Sequence, residues 1–351
     1  MLNILNEYRK AIISEIEIFF DTLRSKPIIK DFWFEDAIER LHKFVISGKM
    51  LRGAMVILSE KMFSNKYLQD ALKCAITVEL LQSGLLIHDD IMDEDTQRRG
   101  MDTIFYQYKK LSDERNVDNS YHIGEAMGIC AGNLAFSLAF ISLGKISRKH
   151  ILDRLILKFG EEMAIVGIGQ MKDVMTSGLK DIPSEDEIIS IYRYKTARYS
   201  FSLPFALGAI ISEVDDETIH KIEEIGEYLG IIFQIQDDKI GLTGDSSLTG
   251  KPRGSDIKEN KKTIFYNILI NSATNDERQS LLRIFGNHHI TDKEIDYVID
   301  LCRKYNVFDI VGEKVKEYSI IVKNKVSELQ ISDEYKGYFY QFIDYNLSRD
   351  R

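Results

Sequence analysis

Two clusters of acidic side chains stand out in this 351-residue chain. The first lies in LLIHDDIMDEDTQRRG, Leu85 to Gly100, where Asp89, Asp90 and Asp93 follow an apolar run and precede Arg98 and Arg99. On a helix, Asp89 and Asp93 are four residues apart and project from one face. Carboxylates so placed repel each other unless a cation lies between them, and Mg2+, a hard oxygen-seeking ion, suits that position. Asp90 points about 100° away, as a support to the ligands or as a ligand to a different ion. Arginine's planar fork captures phosphate oxygens in pairs, and the two arginines follow where the helix should end, near Gly100. A solvated acidic helix is the competing reading. The apolar approach and the adjacent arginines count against it.

The second cluster, GIIFQIQDDKIGLTGDSSLTGKPRGSDIKENKKT, spans residues 230–263. An apolar helix again delivers an aspartate pair, Asp237 and Asp238, ahead of a loop holding Lys251, with Asp256 and Lys261 beyond it. Two such constructions in one chain are harder to ascribe to chance than one. Carboxylates from both could hold a cluster of Mg2+ ions on one polyanionic ligand, with Lys and Arg on the remaining oxygens. Smaller pieces agree with this chemistry. SGKMLRG places Lys49 and Arg52 at a helix start, where backbone N–H groups favour anions, although a solvated pair fits as well. Gln170 and Asp173 share a helical face, as a capping or core pair also would, and Thr196, after Lys195, is equally suited to bonding a helix carbonyl. His88 can orient Asp89 or simply face solvent.

The elements that must position these groups read as helices. Only four prolines occur in the chain, and apolar residues make up 44% of it. Helical periodicity covers 3–22, 34–48, 51–62, 67–93, 120–144, 149–176, 185–212, 216–239 and 308–347. Neither a strand-rich region nor a linker interrupts it, so a single all-α domain over residues 1–351 is expected. The uncharged segment AMGICAGNLAFSLAFISLG, 126–144, is long enough to cross a bilayer. Its Asn and Ser residues, and the lack of a second such span, favour a fully buried core helix, with Gly128 and Gly132 admitting a close neighbour. A net charge of −9 argues against nucleic acid as partner. The scattered Cys74, Cys130 and Cys302 fit a reducing cytoplasm and exclude a paired zinc or disulfide pattern. The N-terminus reads as an amphipathic helix and not as a signal peptide.

Taken together, DDIMDEDTQRRG, FQIQDD, GKMLRG, GQMKD, YKT and TGKPRGSDIKENKKT resemble the motifs of the trans-isoprenyl diphosphate synthases, or polyprenyl synthetases, over nearly the whole chain. The resemblance implies a bundle of antiparallel helices around a deep cavity, usually as a homodimer, with three Mg2+ ions when substrate is bound. It also implies head-to-tail condensation: an allylic diphosphate ionises, isopentenyl diphosphate attacks the cation, and a proton is lost. Carried over residue by residue, Asp89, Asp93 and Asp237 are implied as metal ligands, with Asp90 in support. Arg98, Lys195 and Lys251 are implied for the allylic diphosphate, with Gln170 and Lys261 as further substrate contacts. Lys49, Arg52, Gln82 and Arg99 are implied for isopentenyl diphosphate. Thr196, Gln234 and the Lys195 carbonyl would direct dipoles at the cation, and Phe233 would pack on the homoallylic tail. The resemblance also implies that the departing diphosphate takes up the proton, so no side-chain base is assigned.

Two positions depart from the family pattern. Gly241 stands where many members carry a third aspartate, which leaves Asp256 to attract a water-bound metal. Gly53 replaces a common proline and is expected to loosen a helix start. Chain length should depend on Leu85, Gly84 and Leu81, about 6, 7.5 and 12 Å below Asp89 along a helix. With glycine at the fifth position that wall is expected to be open, which favours a C20 product over C25 or longer, and both over C15, unless Phe136, Met127 or a partner subunit supplies a floor. A class I terpene cyclase lacks support, because no (N/D)Dxx(S/T)xxxE motif follows. A catalytically silent regulatory subunit should show eroded aspartates, which this chain does not. The tail YNLSRDR offers Arg349 and Arg351 to close a site or to sit in solvent.

Overall fold

The structure, a computed structural model, describes residues 2–243 and 253–348. Among these, helices dominate and the strands are limited to one two-residue pair. Contacts group the chain into two units, one comprising Met1–Leu157 with Leu207–Val214, the other Lys158–Ala206 with Asp215–Arg351.

In the first unit the order is α1 (Leu2–Ser25), α2 (Phe32–Ile46), α3 (Leu51–Phe63), α4 (Leu68–Met92), β1 (Gln97–Arg98), β2 (Met101–Asp102), α5 (Ile104–Glu114) and α6 (Ser120–Gly144). The centre of this unit is α4, apolar on nearly every side and packed against α3 and α6, as a helix without a polar stripe must be. Its first turn is tied down by buried Asp70, which accepts from the Ser147 N–H at 2.8 Å and from Arg148 Nε at 3.3 Å.

Helix α6 corrects the expectation of full burial. One face, with Gly128, Ala131, Gly132, Ala135, Leu138 and Ala139, is buried, while Ile129 is 47% and Phe140 43% exposed. Both α4 and α6 are long and apolar enough to cross a membrane, but 78% of the apolar window of α4 is buried within the fold against 44% of that of α6. A uniformly apolar sequence cannot indicate which side meets protein. Helix α4 ends at Met92, in line with the expected helix over 67–93 but well before Gly100, and a two-stranded hairpin follows, pairing Gln97 with Asp102 and Arg98 with Met101. Its turn residues, Arg99 (φ 54°) and Gly100 (φ 74°), both lie in the left-handed region, as a tight turn matching strand twist demands. For an arginine that conformation costs about 1–2 kcal/mol.

The second unit carries most of α7 (Leu152–Gly178), then α8 (Glu185–Ile191), a π-helical segment (Tyr192–Ser202), the start of α9 (Leu203–Ile211), and α10 (Asp216–Thr243). Further along come α11 (Ser255–Lys258), α12 (Ile264–Ser272), α13 (Asn275–Ile284), α14 (Asp292–Lys304), α15 (Val307–Glu328) and α16 (Asp333–Ser348). The expected continuous helix over 185–212 is thus widened in its middle. Pro204 is one physical reason: proline cannot donate to the i−4 carbonyl and its ring collides with it, and a π turn relieves both. The widened backbone lies on α10, where Gly230 makes room. A Cβ there would overlap Ala197, 2.6 Å from its Cβ. Helices α5, α11, α12, α13 and α14 arise where no helix was read, and the expected helix over 308–347 is broken between Glu328 and Asp333.

Candidate active site

At the end of α4, Asp89 and Asp93 are half-buried, one turn apart, and the Asp93 N–H donates to the Asp89 carbonyl at 2.8 Å. Asp90 lies inside, with no exposed surface, and its Oδ1 accepts from Arg98 Nε. Burial pushes the Asp90 carboxyl up to about 7 against the pull of Arg98. The Arg98 Nη2 also stands 3.7 Å from Asp89 and 3.5 Å from Asp95. Arg98 is therefore engaged with all three aspartates, most closely with buried Asp90.

Among the described residues no three His, Cys, Asp or Glu side chains meet closely enough to enclose a metal ion. That is compatible with Mg2+, which is held by one or two carboxylates and completes its shell with water and substrate phosphate. The donor set fits: Asp89 and Asp93 offer hard oxygens from one face. Behind them Asp90 Oδ2 is buried without a hydrogen-bond partner among the described residues.

The groups assigned to isopentenyl diphosphate gather in the same unit. Arg99, exposed, reaches back to Ser47 Oγ at 3.3 Å and lies over the Phe44 ring at 5.7 Å, which brings it to the turn bearing exposed Lys49. Arg52 opens α3. Gln82 is buried, and its Oε1 has no hydrogen-bond partner among the described residues; turning the amide would present two donors instead. The start of α3 holds a group the sequence reading missed. Met50, the N-cap, is left-handed and makes no side-chain cap. In its place Glu79, buried on α4, accepts from the Gly53 N–H at 2.8 Å. So Gly53 does not loosen the helix start. It supplies an amide that proline lacks, and a protein carboxylate takes the amide expected for a substrate anion.

In the second unit, one chain of hydrogen bonds links the groups assigned to the cation. Thr196 Oγ1 donates to Gln234 Oε1 at 2.7 Å, and Gln234 Nε2 donates to Asp238 Oδ1 at 2.8 Å. The phenol of Tyr192 donates to Asp238 Oδ2 and accepts from the Ile264 N–H at 2.9 Å. Burial, reinforced by Asp256 and Asp237, pushes the Asp238 carboxyl well above the usual carboxylate range, and burial also raises the Tyr192 phenol. Lys195 Nζ meets Asp173 Oδ2 at 2.5 Å, so Asp173 is an ion-pair partner and not a cap. Gln170 is half-buried one turn earlier on α7, and Phe233 packs on Phe201 with ring centroids 5.4 Å apart.

Asp237 is half-buried beside Asp238. The missing third aspartate has a counterpart in space: a Cβ at Gly241 would lie 2.6 Å from Asp256 Oδ2. The Asp256 carboxylate occupies the ground a side chain at 241 would need. Lys261 pairs with Glu259 at 2.7 Å, and its N–H donates to the Asp256 carbonyl at 2.9 Å. Lys251, Arg349 and Arg351 lie outside the described residues.

Below Asp89 the wall differs from expectation. Leu81 is buried and Leu85 half-buried, but the space beside Gly84 is not open. The Phe136 ring from α6 fills it, so that a Cβ at Gly84 would overlap the ring and lie 2.7 Å from Cδ1.

Residues 33–302 match the polyprenyl synthetase family. The chain belongs to that family. This polyprenyl synthetase is 31% identical to the geranylgeranyl diphosphate synthase of Saccharolobus solfataricus, over 84% of the chain and 83% of that protein. It is 32% identical to the enzyme of the same name from Sulfolobus acidocaldarius, over 82% and 83%. Its fold matches the geranylgeranyl pyrophosphate synthase of Corynebacterium glutamicum, complexed with isoprenyl diphosphate and magnesium, with a TM-score of 0.92 over 99% of both chains at 23% identity. The polyprenyl synthetase is thus a trans-isoprenyl diphosphate synthase with the all-α isoprenoid synthase fold. Besides Glu79, the sequence reading missed Tyr192 and Ser47. Tyr192 sits three residues before Lys195 but carries no spacing of its own to mark it.

Proposed function

We propose that this synthase condenses isopentenyl diphosphate with dimethylallyl, geranyl or farnesyl diphosphate, and that its main product is C20 geranylgeranyl diphosphate. The observation that carries the reading is the end of α4, where two half-buried aspartates share a face and Arg98 is locked beside them by buried Asp90. The relatives' names support the product class.

In the first unit Asp89 and Asp93 hold Mg2+, and Lys49, Arg52, Gln82 and Arg99 receive the isopentenyl diphosphate. In the second, Asp237 is a metal ligand, Asp256 stands in for the aspartate absent at 241, and Lys195 and Lys251 bind the allylic diphosphate, with Gln170 and Lys261 nearby. Asp89, Asp93 and Asp237 would hold Mg2+, proposed as three ions with substrate bound, which would supply positive charge against the departing diphosphate. The allylic C–O bond breaks and its electron pair leaves with the diphosphate. Thr196, Gln234 and the Lys195 carbonyl turn dipoles toward the resulting cation. The isopentenyl double bond then forms the new C–C bond, and the proton lost from the adjacent carbon goes to the released diphosphate. Phe233 packs against the isopentenyl tail.

The whole chain is proposed to act as one isoprenoid synthase domain, in the cytoplasm, as a homodimer. The exposed Ile129 and Phe140 on the open face of α6 support pairing with a second copy. Incubating the enzyme with labelled isopentenyl diphosphate and each allylic primer, with Mg2+ or with chelator, tests the chemistry. Mg2+-dependent C20 alcohol after dephosphorylation is the expected result. A C15 stop would overturn the product, and a cyclic hydrocarbon formed without isopentenyl diphosphate would overturn the reaction. Sedimentation of wild type and Phe140→Asp tests the dimer, the variant being expected as monomer.

A further inference from the structure

We infer that Arg198, held by Glu162 from α7 and Glu227 from α10, is a positioning residue for Lys195 and Thr196. The inference rests on the reading above, in which those two residues turn dipoles toward the allylic cation.

The π-helical segment is approached closely by both α7 and α10, at glycines. On α7, a Cβ at Gly169 would lie 2.5 Å from the Lys195 nitrogen. On α10, a Cβ at Gly226 would lie 2.8 Å from the Ser202 nitrogen. These contacts set how near the segment lies, and charge then fixes its rotation. Arg198 presents its fork to Glu162, Nη2 to Oε1 at 2.5 Å and Nε to Oε2 at 3.0 Å. Glu162 lies two turns before Gly169, on the same face of α7, and its side chain is fully buried. Arg198 Nη1 also reaches Glu227 Oε2 at 3.3 Å, and Glu227 Oε1 holds Arg193 Nε at 2.7 Å.

Arg198 acts through its backbone as well. The Leu203 N–H donates to the Arg198 carbonyl, five residues back, which is the bond of a π turn. Such turns are rare in helices and must be imposed by what surrounds them. A two-pronged ion pair shielded from water is a strong restraint of that kind. Lys195 and Thr196 stand three and two residues before Arg198. A shift at 198 therefore redirects the Lys195 carbonyl and breaks the alignment of Thr196 with Gln234.

The test is steady-state kinetics of Arg198→Lys, which keeps the charge but loses the fork, and of Glu162→Gln. In each, kcat should fall about ten- to a hundredfold, the effect of a small displacement of reacting groups. KM for the allylic diphosphate should rise, while KM for isopentenyl diphosphate, whose groups lie in the first unit, should not change. The double variant should be no slower than the worse single one, because the two side chains act as a unit. Should either variant fail to fold, Glu227→Gln replaces it, at a side chain that is 18% exposed, and should show the same pattern with a smaller fall. Folded variants with wild-type kcat, equal rises in both KM values, or losses that multiply in the double variant overturn the inference while the synthase reading stands. Wild-type enzyme that elongates no primer would instead overturn that reading.

Discussion

The N–H of Gly53 and the carboxylate of Glu79, 26 residues apart, form a buried hydrogen bond of 2.8 Å. A helix start leaves several amides without partners, and here the missing acceptor comes from another helix. Glu79→Ala should cost about 1–3 kcal/mol in urea unfolding, since it leaves a buried donor unmet. Because Arg52 sits on the same turn, KM for isopentenyl diphosphate should rise more than KM for the allylic substrate. Equal rises in both would show that Glu79 does no more than hold the fold.

Gly241→Asp restores the aspartate common in the family, yet it should weaken the enzyme. Its Cβ would lie 2.6 Å from Asp256 Oδ2, and overpacking of this kind costs about 1–3 kcal/mol before like charges are counted. The Mg2+ concentration for half-maximal activity should rise in Gly241→Asp and in Asp256→Ala, and fall back toward wild type in the double variant. A single variant with improved Mg2+ dependence would contradict the substitution of Asp256 for residue 241.

Tyr192→Phe removes the donor to Asp238 and the acceptor for the Ile264 N–H. Loss of a buried partner costs about 1–3 kcal/mol, so the melting temperature should drop. Asp238 would also lose one of the bonds that fixes Gln234 against Thr196, and kcat should fall about tenfold, the loss expected when a preorganised dipole moves, with KM for isopentenyl diphosphate little changed. A fall in melting temperature with kcat intact would confine Tyr192 to stability.

Acid stability should depend on Glu277. Hydrogen bonds from Lys304, Tyr305 and its own cap residue Thr274 hold its carboxyl at about 2, below the ordinary 4.5. A carboxyl lowered by folding stabilises the protein above its unfolded value and loses that contribution as pH falls toward the folded one. Glu277→Gln should therefore melt below wild type at pH 7, and the gap should close between pH 4.5 and about 2. A gap constant over that range would show that ionisation of Glu277 does not matter.

The helices carrying the aspartates were legible because apolar periodicity and paired carboxylates reinforce each other there. Helices α13 and α14 were not, being short and polar on average, although Thr274 with Glu277 and Thr291 with Glu294 form capping boxes whose spacing is visible in the sequence. Burial of α6 was misjudged because its apolar residues surround the axis without a stripe. The hairpin that places Arg98 and Arg99 depends on φ values that only Gly100 hints at. Glu79 and Tyr192 sit inside apolar runs, and no local spacing tells a buried acceptor or donor from an ordinary core neighbour. The plug at Gly84 required a facing helix to be in place before it could be seen.

The π-helical stretch from Tyr192 to Ser202 holds more residues per turn than an ordinary helix, and Lys195 and Thr196 owe their bearing to that surplus. Deleting one residue between 197 and 202 would let the segment tighten into the commoner winding, yet swing everything upstream by about a quarter-turn. The shortened protein should hold up to heat at least as well as its parent and still be inert, because a looser coil here is what aims the groups proposed to meet the carbocation.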